Sequence, residues 1–99
     1  MFDGTYAVEI DTSLGRKLGT LTFTPEGERL HIDVDAPVLG KKRAEGRLLS
    51  ESSFIAEGTW KILVIGKVDF TIEGRLYGDD LALDVKTNEG NAQGVGIRL

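Results

Sequence analysis

His31 is the single histidine of a 99-residue chain that contains no cysteine. A histidine works as a general base or relay when a serine, cysteine or second histidine shares its proton. Alternation of residue types instead places His31 on an outward face, between inward Leu30 and Ile32. The carboxylates are the other candidates for chemistry. Glu9 and Asp11, Asp33 and Asp35, Asp69, Asp79, Asp80 and Asp84 are spread over outward faces and turns. No segment presents the alternating oxygen ligands of a calcium loop, and one imidazole without thiolates is a poor zinc set. Cross-strand pairing, such as Asp35 with Arg43, accounts for these charges. The expectation is a non-enzymatic protein with no catalytic residue, metal ligand or cofactor.

Two groups of apolar residues remain as binding candidates. Leu14, Val38 with Leu39, and Ile65 occupy the tips of turns, where exposed apolar side chains need a reason. They are the candidate ligand-binding mouth, or else a patch for another protein. Tyr6 and Trp60 form a candidate aromatic end. Both follow a Gly-Thr pair at the start of matching segments, so they are expected at one end of the molecule with Phe23, Leu48 and Leu99. Their polar tips need partners there, for which backbone at the rim is the first expectation.

The elements that must position these residues alternate apolar and polar positions along nearly the whole chain, a β signature. Strands are expected over residues 5–11, 17–24, 29–36, 42–49, 54–64, 67–76, 80–87 and 91–99, with glycine-bearing turns between them. Gly15, Gly27, Leu30, Asp33, Val34, Arg47 and Leu48 recur 51 positions later as Gly66, Gly78, Leu81, Asp84, Val85, Arg98 and Leu99. Two internal repeats, about 4–48 and 58–99, follow from that shift, within a single domain covering 1–99. Four antiparallel strands with one apolar face leave raw edges. Two such halves remove them by closing into an eight-stranded up-and-down barrel, the all-β fold expected here. Period-two reading turns Tyr6, Val8, Ile10, Leu21, Phe23, Trp60, Phe70 and Leu83 inward, with Val95, Ile97 and Leu99 from the last strand. No charge points inward in this reading. Two-fold symmetry would then set Phe23 against Gly74 and Phe70 against Gly19, filling the interior.

A net charge of −4 without a basic run argues against nucleic acid as a partner. No segment approaches the length of a membrane-spanning helix, and the N-terminus lacks a signal-peptide pattern. No membrane insertion and, by default, a cytoplasmic location are expected.

The opening Phe2-Asp3-Gly4-Thr5-Tyr6 resembles the start of fatty-acid-binding proteins, and its Gly-x-aromatic entry is similar to that of lipocalins. Both are calycin barrels. The turn glycines Gly15, Gly40 and Gly66 and the ending Gly96-Ile97-Arg98 resemble small, internally duplicated barrel domains of uncharacterised bacterial proteins. That resemblance implies a calycin-like fold and, with it, binding of a small hydrophobic ligand. It carries over no binding residue, because both repeat arginines are read as outward and a three-residue turn follows the first strand. The alternative is a structural or docking module with a filled core, associating as a homodimer through outward Leu18, Leu49, Ile55 and Leu63.

Overall fold

The computed structural model describes residues 2–12, 15–37, 39–62 and 65–99. The alternating pattern becomes eight strands: β1 (Gly4–Thr12), β2 (Gly15–Glu26), β3 (Arg29–Ala36), β4 (Gly40–Ser50), β5 (Ser53–Ile62), β6 (Gly66–Tyr77), β7 (Asp80–Thr87) and β8 (Gly90–Arg98). Each pairs antiparallel with the next, and β8 returns to β1 from Tyr6↔Arg98 to Asp11↔Gln93, so the sheet closes into a barrel. Closure leaves no unpaired strand edge. Gly27 and Gly78, at φ +63° and +67°, make the sharp β2–β3 and β6–β7 connections that an L side chain would strain.

Tyr6, Val8, Leu21, Phe23, Leu30, Ile32, Val34, Ala44, Ala56, Phe70, Ile72, Leu81 and Leu83 are buried, as the period-two pattern requires for β1 to β7. Strand β8 has the opposite phase. Its inward residues are Gly94 and Gly96, while Val95, Ile97 and Leu99 are 60%, 62% and 77% exposed. The cause is one residue of turn length. Three residues separate β3 from β4, but two separate β7 from β8, so Gly40 corresponds to Gly90 at a shift of 50 rather than 51. A slip of one exchanges the faces of a strand. Side chains would not fit inward here in any case: a Cβ on Gly96 would lie 2.8 Å from a Val8 methyl, and one on Gly94 would collide with Ile10.

The same phase brings Arg98 to the barrel rim. It lies 5.9 Å over the Tyr6 ring, donates to the Tyr6 hydroxyl at 3.4 Å and reaches Asp3 at 2.9 Å. The reading of both repeat arginines as outward therefore fails for Arg98. Strands β2 and β3 do match β6 and β7 in length and in the 51-residue shift.

Tyr6 and Trp60 lie at opposite ends. Tyr6 is the third residue of β1, whereas Trp60 is the eighth of β5, and the two strands run in one direction. The Gly-Thr-aromatic match misaligned them: at the turns Thr12 corresponds to Ile62, which sets Trp60 at the level of Ile10. Around Tyr6, the rings of Phe2, Phe23 and Phe54 pack edge to face at centroid distances of 4.9 to 5.5 Å. Phe2 is fully buried just ahead of β1 and plugs this end.

Rings do fill the space above glycines, but not across the barrel. Phe54 covers Gly74 and Phe70 covers Gly58, each its direct partner in the β5–β6 ladder. Gly19 instead abuts Ala36 and the Asp35 carbonyl, so neither expected diametric pair forms. Adjacent strands put such pairs within contact distance, a shorter reach than the width of the barrel.

Candidate functional site

The interior is solid at the Tyr6 end and hollow at the other. Around Ile10, Val34 and Val85 the wall is lined mainly by branched aliphatic residues. A cavity of about 240 Å³ results, with Val8, Leu21, Ile72 and Leu83 as its floor and Trp60 and Leu39 on its sides. Nearly all its surface is apolar. Outer hollows are larger, such as a 620 Å³ groove between Arg29, His31, Glu45, Arg47, Ile55 and Glu57, but they are built from outward side chains and face solvent.

Trp60 is locked on one side of the cavity. Its Nε1 donates to the Arg43 carbonyl at 3.1 Å, a backbone partner, and its ring lies 4.4 Å from that of Phe70. Gly58, directly opposite Phe70 in the ladder, leaves room for that ring. The only tryptophan of the chain thus faces the hollow with its polar tip already satisfied.

Of the candidate mouth residues, Leu39 packs against the core and lines the cavity, its backbone N–H bonded to the Ala36 carbonyl at 3.1 Å. Ile65 is exposed. Leu14 and Val38 lie outside the described residues, as does Leu63, expected on the outer face. The structure thus joins Leu39 with Trp60 and leaves Tyr6 at the far end. Two groups escaped the sequence reading. The aliphatic floor has the pattern of ordinary filled core, and Lys17, which lines the cavity, is marked in the sequence only by its even spacing from inward Gly19.

On the outer wall, His31 Nε2 meets Glu26 at 2.8 Å, and Nδ1 bonds to Glu45. Two carboxylates on one ring are both satisfied only by imidazolium, with two N–H donors. The hydrogen bonds to Glu26 and Glu45 accordingly hold His31 above the ordinary histidine range, and the bond from His31 holds Glu26 below the usual glutamate range. Neither ring nitrogen is left for a metal, and no metal-binding cluster occurs among the described residues. Arg43 grips Asp33, not Asp35, with bonds of 2.8 and 3.2 Å, which lowers the Asp33 pKa; the ladder sets Asp35 opposite Lys41. Among the described residues no polar or charged side chain is buried.

No protein-family model and no curated protein matches the chain. Solved structures similar in fold include the redesigned β-barrel mFAP1 bound to DFHBI, at TM-score 0.77 and 14% identity over 99% of this chain and 94% of that one. A second redesigned β-barrel aligns at 0.73 and 15% over 99% and 91%, and a de novo designed fluorescence-activating β-barrel at 0.68 and 16% over 99% and 94%. At these identities the likeness is one of fold. No helix is long and apolar enough to cross a membrane among the described residues.

Proposed function

We propose that this protein is a non-enzymatic binder of a small, largely apolar molecule, held in the cavity between Trp60, Leu39 and the aliphatic floor. The observation that carries this reading is the uneven filling of the barrel. One end is filled by four interlocking rings, while the other keeps an apolar hollow of about 240 Å³. Size defines the ligand class. A cavity of about 150 Å³ holds benzene, and drug-sized ligands begin near 300 Å³, so a fused two-ring molecule or a short branched chain fits. Binding would come from burial of apolar surface at roughly 25 cal/mol per Å² and from shape. The dye carried by mFAP1 supports the capacity of this architecture for a small ligand. It does not identify one.

Naphthalene titrated against the protein is expected to change Trp60 emission saturably. Val85→Phe, which places a ring in the hollow, should abolish the change while leaving the fold intact. An unsaturable response, or one untouched by Val85→Phe, would remove the proposal.

The outer surface of β8 favours a second reading. Ile97 points outward opposite Ala7 of β1 and Val95 opposite Glu9, and Leu18 of β2, on the other side of Glu9, is 59% exposed. This is the alternative of a homodimer or docking module. Its apolar surface is centred on β8, while of the residues first suggested Leu18 and Leu49 are exposed and Ile55 is half-buried. Native mass spectrometry separates the readings, since a co-purifying small mass belongs to the first and a dimer to the second.

A further inference from the structure

The lysines are sorted to one end of the barrel. Lys17, Lys41, Lys42, Lys61, Lys67 and Lys86 are all the lysines of the chain, and each lies within two residues of a strand end at the cavity mouth. With Arg16 they set seven cations against the three carboxylates of Asp11, Asp35 and Glu89 in the same zone. The opposite end has the reverse balance, with Asp3, Glu26, Glu28, Glu51, Asp79 and Asp80 against Arg29, His31, Arg75 and Arg98. A chain of net charge −4 thus carries a positive mouth.

The pairing pattern sharpens this. Every ion pair among the described residues uses arginine or histidine, at Arg16, His31, Arg43 and Arg98, and none uses a lysine. Lys42 donates to the Lys61 carbonyl at 3.3 Å. Lys17 occupies the inward phase of β2, directly opposite Ile10, and its side chain forms part of the cavity wall. Lys17 therefore stands where the apolar hollow reaches the mouth of the barrel. An aliphatic stem can lie along the apolar wall while the charged head stays solvated at the rim.

From this geometry we infer that the ligand of the proposed cavity is an anionic amphiphile, an aryl or branched-alkyl carboxylate, whose apolar body enters the barrel and whose carboxylate remains at the mouth against Lys17. The inference rests on the cavity-binding reading and adds the charge and orientation of the ligand. Five further lysines around the mouth raise the local concentration of such an anion and speed its encounter. The carboxylate needs no buried counter-ion, because it never leaves the rim.

The test compares 2-naphthoate with naphthalene-2-carboxamide, a neutral molecule of the same shape, using Trp60 emission to read both. The carboxylate is expected to bind about fivefold more tightly, the upper range for an exposed ion pair, and to lose that margin in high salt. Lys17→Gln should bring the two affinities together by weakening the carboxylate more than the carboxamide. Lys17→Glu should make the carboxamide the better ligand. Equal affinities in the unaltered protein would overturn the inference and leave the apolar cavity standing, whereas binding of neither compound would remove both. A preference that survives Lys17→Gln unchanged would also overturn the assignment to Lys17.

Discussion

The two ends of this barrel share one wall and differ in what fills it. At the Tyr6 end, Phe2, Phe23 and Phe54 interlock with the tyrosine, and Arg98 closes the rim through Tyr6 and Asp3. At the Trp60 end, valines, leucines and isoleucines line a hollow and the lysines lie at the strand ends around the opening. An eight-stranded barrel is just wide enough for its own side chains to fill, so large rings make a layer into core and small aliphatic residues make it into a pocket. Packed core and open space are thereby separated along a single axis. The charge distribution follows the same division, with acids concentrated around the sealed end and lysines around the hollow one.

Truncation tests that separation most severely. Phe54→Ala removes a buried ring and should cost about 3–5 kcal/mol, read as a lowered urea midpoint. Val85→Ala only widens an existing hollow and should cost less than about 1.5 kcal/mol. Equal costs would dissolve the distinction between the ends. Overpacking comes next. Gly74→Ala drives a methyl group into the Phe54 ring, and a loss of about 1–3 kcal/mol is expected, smaller when Phe54→Leu is already present. Additive losses in that double-variant cycle would show that the ring and the glycine are not coupled.

The smallest effect lies on the outer wall and depends on pH. His31 has a raised pKa in the fold, so its contribution is complete below the unfolded value of about 6.5 and disappears as pH rises through the higher folded value. Glu26 has a lowered pKa. Its contribution is present above the unfolded value of about 4.3 and disappears as pH falls through the folded one. Thermal unfolding should therefore show a shallow stability maximum between these limits. His31→Gln should flatten its alkaline side and spare ligand binding, because the cluster lies outside the cavity. An unchanged alkaline slope in that variant would assign the effect elsewhere.

Much of the wall was legible because strand periodicity is local. Leu21 and Phe23, Leu30 and Ile32, and Leu81 and Leu83 each lie two apart and each turn inward. The β8 face was misread for a reason equally local in origin but visible only through pairing. A turn one residue shorter than its counterpart slips the phase, and the 51-residue recurrence conceals the slip. Of the candidate mouth residues, the structure shows Leu39 lining the cavity, and it moves Trp60 to that end by ladder register. Lys17 carried a signal in its even spacing from Gly19, but its place beside five other lysines around one opening appears only in the closed barrel.

From the chain alone came the β class, the turn glycines, the closed eight-stranded topology and the inward faces of seven strands, since residue alternation and backbone sterics act over a few positions. Which rings meet, which end is hollow and where the charges gather were settled by closure. These depend on register accumulated around eight strands, where a single residue of turn length changes what faces the interior.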